Sequence, residues 1–267
     1  MAKLTAVVGH PIAHTLSPLL HNTIYAHENV DAEMRAFDAP LIEPFMDTIR
    51  REPLHLVAVT LPHKKSIMLL LDEIDPIAEE IGAVNTVIHR EGKLTGYNTD
   101  VTGIAASLKG MKLSGVNVLL LGAGGAARPI AYYLKQQGAI LFCQSRTFDK
   151  AEALCRHFGG TPLRDVAEAS AISFDLVINA TPLGLQSSDP SPFPSKRVRK
   201  DSVLFDLIYR PTRFLKEGAA QGARVISGLP MFVAQGLEQE KLWLGREIPD
   251  SGYTALLQAE LEKTAAK

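Results

Sequence analysis

The chain has 267 residues, 46% of them apolar, and a formal net charge of -1. That length suits one large domain or two of ordinary size, with enough apolar side chains for a full core in each. Near-neutral charge excludes the basic face that nucleic acid demands, and no apolar run reaches the roughly 18 residues of a membrane span.

The N-terminal "LTAVVG" reads as a first strand, not as a signal peptide. Helix "SPLLHNTIYAHEN", strand "EMRAFDA", helix "LIEPFMDTIRR", strand "HLVAVT" and helix "KKSIMLLL" follow. Next comes "NTVIHREGKLTGYNTD". A two-residue turn at Glu91-Gly92 makes it a hairpin in which Arg90 faces Lys93, Val87 faces Gly96 and Asn85 faces Asn98. Both Asn-Thr pairs then meet at the open end, with Asp100 two residues beyond.

The second half is a run of βα units. "VNVLLLG" is a continuous apolar strand, as a buried parallel strand should be. Helix "ARPIAYYLKQQ", strand "ILFCQSR", helix "FDKAEALCRHFG" and strands "DLVINATP", "SVLFDLIY" and "RVISG" complete the pattern. The expected class is α/β, with a parallel, doubly wound second sheet. The Ser/Pro-rich "QSSDPSPFP" reads as a mobile loop. The join is expected near Gly103. Residues 1–103 then form a substrate-binding and catalytic domain, residues 104–229 a cofactor domain, and residues 230–267 return to the first. Cys143 and Cys155 form no CxxC, so reduced thiols in a cytoplasmic protein are expected.

"LGAGGAARP" puts Gly122, Gly124 and Ala127 in a GxGxxA arrangement between strand and helix. The first glycine permits the turn, the second lets backbone approach a pyrophosphate, and the helix N-terminus offers N–H groups to it. This is a Rossmann-type dinucleotide site. An NAD site carries Asp or Glu at the end of the next strand, to hold the ribose 2′-hydroxyl. Here "SRT" stands instead, and Arg146 can pair with a 2′-phosphate, to which Ser145 and Thr147 can also donate. The expected cofactor is NADP.

Thr15 and Ser17 are hydroxyls just before a helix whose first turn holds Pro18, an arrangement that receives anions. Lys64 follows strand "HLVAVT", at the end where α/β folds bind ligands, and Asp100 is its expected partner in proton transfer. Only one of the adjacent Lys64 and Lys65 can point inward, and the spacing favours Lys64. His10 and His14 are four residues apart, but Pro11 breaks the helix that metal binding would need, so no metal is expected.

The segments "GHPIAHTLSPLLHN", "VTLPHK", "GAVNT", "GYNTDVTG", "GAGGAAR", "SRT", "INATPLG" and "GLPMFVAQG", in this order, resemble the shikimate dehydrogenase family over nearly the whole chain. The resemblance implies NADP-dependent, reversible reduction of 3-dehydroshikimate to shikimate, in two domains with a deep cleft between them. Carried over by motif, Lys64 and Asp100 are the catalytic pair. Thr15, Ser17 and Tyr209 hold the substrate carboxylate, and Thr60, Asn85 and Gln235 the ring hydroxyls. Gly122, Ala123, Gly124, Gly125, Ala126, Ser145, Arg146, Thr147, Asn179, Ala180, Thr181 and Gly228 line the cofactor site. The expected partner is a small ring acid, bound by a monomer or homodimer.

Three positions depart from the family pattern. Thr15 stands where the family usually has Ser, Ala58 stands where it usually has Asn, and "YRPTRFL" is about two residues short. All lie on the substrate side, so a paralogue acting on quinate, aminoshikimate or a related ring stays open. The missing amide at position 58 is expected to relax discrimination, with Ala58→Asn improving shikimate turnover and Thr15→Ser mattering less. A non-enzymatic regulator that binds NADP or a metabolite is the third alternative, disfavoured by retention of both Lys64 and Asp100.

Overall fold

The computed structural model describes residues 2–13, 15–52, 54–165, 167–168 and 172–265. The chain divides into two compact units, Met1–Thr102 with Val233–Glu260, and Gly103–Phe232 with the chain from Leu261.

The first unit holds strands β1 (Lys3–Gly9), β2 (Ala32–Asp38), β3 (Leu54–Val59), β4 (Glu73–Ile74), β5 (Thr86–Arg90) and β6 (Lys93–Tyr97). They form one sheet in the order β2-β1-β3-β5-β6-β4. Pairing is parallel among β2, β1 and β3 and antiparallel from β3 through β5 to β6. Alternate side chains of β3 feed opposite faces. Val57 and Val59 enter one apolar cluster, Leu56 and Ala58 the other. The hairpin has the expected register, with Arg90 opposite Lys93 and Val87 opposite Gly96. Glu91 (φ 53°) and Gly92 (φ 79°) both have positive φ, the primed turn that matches strand twist.

Helices α1 (Ser17–His27), α2 (Glu43–Arg51), α3 (Pro76–Ile81) and α4 (Asp100–Ser107) follow these strands, and α8 (Leu229–Leu244) and α9 (Tyr253–Ala265) end the chain. The expected helix over "KKSIMLLL" is instead a 3₁₀ turn, Ser66–Leu70. It has no side-chain cap and fully buries only Ile67, with Met68 and Leu70 packed partly buried beside it and Leu69 90% exposed, so its buried face is too short to hold an α-helix. α3 was not expected, although Asp75 caps it, Pro76 opens it and Gly82 (φ 67°) closes it.

Inside the first unit, wholly buried His21 of α1 and Glu240 of α8 are bonded through Nδ1 and Oε1. Thr5 and Tyr25 form a hydroxyl contact at 2.8 Å in the same interior. Glu240→Ala would leave a buried imidazole unpaired. The expected loss is about 1–3 kcal/mol of unfolding free energy, read by urea titration. A loss within error of zero would show that the pair adds nothing to stability.

The second unit contains β7 (Asn117–Leu121), β8 (Ile140–Gln144), β9 (Thr161–Leu163), β10 (Leu176–Asn179), β11 (Val203–Asp206) and β12 (Arg224–Ile226), with helices α5 (Ala127–Gln136), α6 (Phe148–Phe158) and α7 (Arg213–Ala220). Its sheet order is β12-β11-β10-β7-β8-β9, parallel throughout. Val118 and Leu120 pack into one cluster and Leu119 and Leu121 into another, which is why β7 reads as an unbroken apolar run. The strand order reverses between β7 and β10, the point where such sheets bind ligands. The Ser/Pro-rich loop is more anchored than expected. Phe193 is buried in the core, and Asp189 accepts from the backbone N–H groups of Gly184 and Gln186, each at 2.9 Å.

Candidate active site

The first unit gathers a polar cluster at the C-terminal end of β3 and the open end of the hairpin. Lys64 Nζ donates to Asp100 Oδ2 at 2.6 Å, with side chains only 12% and 7% exposed. Lys65 is exposed, as the spacing required. The lysine backbone is fixed too, since Lys64 O accepts from Val84 N at 2.7 Å. Asp100 opens α4, where a carboxylate complements the N-terminal dipole.

Asn85 holds the other carboxylate oxygen. Its Nδ2 donates to Asp100 Oδ1 at 2.8 Å, and its Oδ1 accepts from Thr99 N at 2.8 Å and Thr86 Oγ1 at 2.7 Å. The backbone N–H of Thr99 fixes which end of the amide faces the carboxylate. Asn98 completes the tie, accepting from Asp100 N at 3.2 Å and donating to Ala83 O at 2.8 Å. Gln235 of α8 accepts from Asn85 Nδ2 at 3.3 Å and Thr99 Oγ1 at 3.4 Å. The two Asn-Thr pairs therefore build one buried cradle under Asp100. Thr60 is half-buried and leads from β3 into the lysine turn, its N–H donating to Val8 O at 2.9 Å.

Thr15 and Ser17 pair with each other rather than with the dyad. Thr15 Oγ1 donates to Ser17 Oγ at 3.2 Å and accepts from Ser17 N at the same distance. α1 begins there with Pro18 in its first turn, no side-chain cap and no acidic residue, so its N–H groups are free of a competing carboxylate. Ala58 is buried in an apolar cluster with Val7, Ile12, Tyr25 and Leu56. Among the described residues no group of three His, Cys, Asp or Glu could hold a metal. His10 pairs with Asp38 at 2.8 Å, and His14 lies outside the described residues.

The second unit carries the glycine turn and the segment after β8. Gly122 has φ 106°, and a Cβ there would lie 2.9 Å from Ala180 O, so turn and packing both require glycine. A Cβ on Gly124 would meet nothing within 4 Å. The chain itself does not need glycine there; the space fits an approaching pyrophosphate. Ala123 and Gly125 flank Gly124, and Ala126 precedes α5, which has no side-chain cap and no acid in its first turn. Ala127 N donates to Gly124 O at 3.1 Å, and the uncapped turn that follows suits phosphate. Ser145 is half-buried, while Arg146 and Thr147 are exposed beyond β8. Thr147 opens α6 without capping it through its side chain.

Asn179 ends β10. Its side chain is wholly buried and saturated, donating to Leu183 O and Asp206 Oδ1, each at 3.0 Å, and accepting from Thr181 N at 3.0 Å and Thr181 Oγ1 at 2.6 Å. These bonds shape the loop through Ala180 and Thr181. Gly228 is required by close approach, since a Cβ would fall 2.0 Å from Leu207 O. Tyr209 belongs to this unit, its ring 4.7 Å from that of Phe232.

Two residues escaped the sequence reading. Asp206, wholly buried at the end of β11, accepts from Asn179 Nδ2 at 3.0 Å, Ile208 N at 3.1 Å and Thr212 Oγ1 at 2.6 Å, joining the loops after β10 and β11. Gln239 donates from α8 to Thr86 Oγ1 at 2.9 Å. Burial outweighs the three donors at Asp206 and pushes its carboxyl up to about 6. A carboxyl raised on folding gives stability that is full below its unfolded value near 4 and is lost as pH rises through 6. The unfolding free energy of wild type minus that of Asp206→Asn should therefore fall by about 2–3 kcal/mol from pH 4 to pH 7. Urea titrations at both pH values measure it. A difference that grows with pH would mean that the three donors win.

Comparison with known proteins matches this arrangement on both units. Residues 7–87 fit the family model described as shikimate dehydrogenase substrate binding domain, and residues 104–207 the one described as shikimate / quinate 5-dehydrogenase. A shikimate dehydrogenase (NADP(+)) of Oleidesulfovibrio alaskensis is 40% identical over 269 residues, covering 96% of this chain and 94% of that protein. The crystal structure of shikimate dehydrogenase from Aquifex aeolicus superposes with a TM-score of 0.91 at 36% identity, covering 95% and 96% of the two chains. That of the Thermus thermophilus enzyme, solved in complex with NADP(H) and shikimate, gives 0.86 at 38%, covering 96% and 98%. The chain belongs to the shikimate dehydrogenase family.

Proposed function

We propose that this chain reduces 3-dehydroshikimate to shikimate with NADPH, and runs the reverse oxidation with NADP⁺. The observation that carries the reading is the Lys64–Asp100 contact at 2.6 Å, nearly buried and cradled by Asn85. A lysine and a carboxylate in direct contact can pass a proton to and from a substrate oxygen. Bound NADPH supplies the hydride to the carbonyl carbon. Lys64 gives the proton that the carbonyl oxygen takes up as its carbon is reduced, and Asp100 holds the lysine and shares the charge. Thr15 and Ser17 at the start of α1 receive the substrate carboxylate. Thr60, Asn85 and Gln235 orient ring hydroxyls. Gly122, Gly124 and the start of α5 hold the pyrophosphate, and Arg146 with Ser145 and Thr147 holds the 2′-phosphate.

Thr15, Ala58 and the short segment after Tyr209 favour one second reading, a related ring acid such as quinate as the better substrate. Initial rates with NADP⁺ and NAD⁺ against shikimate and quinate test both. Shikimate oxidation with NADP⁺ as the most efficient combination is expected. Quinate turnover exceeding it would transfer the proposal to the paralogue. The reading extends to a cytoplasmic enzyme, in keeping with the unpaired, buried Cys143 and Cys155, and to a monomer or homodimer, which sedimentation distinguishes. Among the described residues no helix is long and apolar enough to cross a membrane.

A further inference from the structure

Ala58 and Thr86 are directly opposite each other in the antiparallel β3–β5 pair, so their side chains share one face of the sheet. Such partners lie within about 5.5 Å at Cβ, the reach of one short polar side chain. An amide at position 58 would reach the Thr86 hydroxyl from across the strand pair. In this chain Ala58 is apolar and buried, yet the Thr86 hydroxyl is not left without an amide. Gln239 reaches it from α8, with Nε2 2.9 Å from Thr86 Oγ1 and 3.3 Å from Asn85 O. Both of those atoms accept, so the amide must enter donor-first. The opposite orientation would set its oxygen against the Asn85 carbonyl. Gln239 Oε1 is buried and finds no hydrogen-bond partner among the described residues, so the whole hold of this side chain is through its donors.

That donor has a consequence two bonds away. A hydroxyl has one proton. Because Thr86 Oγ1 accepts from Gln239, its proton is free to go to Asn85 Oδ1 at 2.7 Å. Asn85 in turn presents Nδ2 to Asp100 Oδ1 at 2.8 Å, and Asp100 holds Lys64 at 2.6 Å. An ordered line of donors thus runs from α8 to the dyad. Gln235, one turn earlier on α8, meets the same Asn85 from its acceptor side. We infer that Gln239 is a positioning residue for the Lys64–Asp100 pair, supplying from α8 the amide that position 58 lacks. The inference rests on the dyad being catalytic, as proposed above, and it replaces the expectation that the loss at position 58 leaves the site relaxed.

A four-protein cycle tests it: wild type, Gln239→Ala, Ala58→Asn and the double variant. Gln239→Ala is expected to lower kcat about 10-fold with the KM for NADP⁺ unchanged, because the lost order bears on proton transfer and not on the second unit. Ala58→Asn alone should bring no gain, since it competes with Gln239 for Thr86. The double variant should recover most of the lost kcat, which general loosening of α8 would not allow. Normal kcat in Gln239→Ala, or a double variant no better than it, overturns the inference. If wild type itself turns over no shikimate, the functional reading fails instead. Urea unfolding of the same four proteins then decides, with rescue of stability in the double variant expected and additive losses overturning the relay.

Discussion

Lys64→Ala should lower kcat for shikimate oxidation by about 10²–10⁴-fold, the usual scale for losing a positioned acid–base group. The ammonium is nearly buried against Asp100, and that carboxylate has a second tie in Asn85 Nδ2. Truncation therefore removes the proposed proton carrier while the hairpin and α4 still hold the carboxylate in place. The site should fold, because Thr99 N holds Asn85, and Asn98 holds Ala83 O and Asp100 N, all without the lysine. The glycine turn and Arg146 belong to the other unit, so binding of NADP⁺ read by fluorescence should be near normal. Lys65→Ala is the matched control: Lys65 is exposed and should keep wild-type turnover. Near-normal kcat in Lys64→Ala, with Lys65→Ala impaired, would exchange the roles of the two lysines. Near-normal kcat in both would remove lysine from the mechanism.

The reason this pair was readable lies in the hairpin. Two-residue turns leave no freedom in register, so Arg90 opposite Lys93 fixes every later pair up to the Asn-Thr repeats. The parallel sheet was readable because β7 is apolar on both faces, and its two faces feed separate cores. Elements without such a period were hidden. β4 and β9 are too short to show alternation. The mixed pairing of the first sheet follows from the hairpin joining it, which the alternating βα pattern masked. Site residues acting through other residues were hidden for a different reason. Gln239 looks like one more polar residue on a helix, and Asp206 like a strand end. Only tertiary contact shows that each organises residues distant in the chain. Position 58 could be recognised as a loss, but its replacement comes from residue 239 on another element, and no local pattern links the two.

Arg146→Ala should raise the KM for NADP⁺ about 10- to 150-fold and leave that for NAD⁺ nearly unchanged. The range corresponds to one charge-assisted hydrogen bond to phosphate, about 1.5–3 kcal/mol. Arg146 is exposed just past β8, so its guanidinium has no buried partner to release among the described residues, and truncation should cost little stability. Its neighbours support the phosphate reading. Ser145 is half-buried, and Thr147 opens α6 with a side chain that caps nothing, so both hydroxyls are available beside the arginine. No Asp or Glu stands in "SRT" to grip a 2′-hydroxyl or repel a 2′-phosphate. Exposure also sets the size of the effect. A solvent-facing pair is screened, so the difference between cofactors should shrink as salt rises from about 0.05 to 0.5 M. Steady-state kinetics with both cofactors at the two ionic strengths measure this. An equal rise in KM for NADP⁺ and NAD⁺ would place Arg146 on the adenine, which the two cofactors share, and leave selection to Ser145 and Thr147. An unchanged KM for NADP⁺ would exclude Arg146 from the cofactor site.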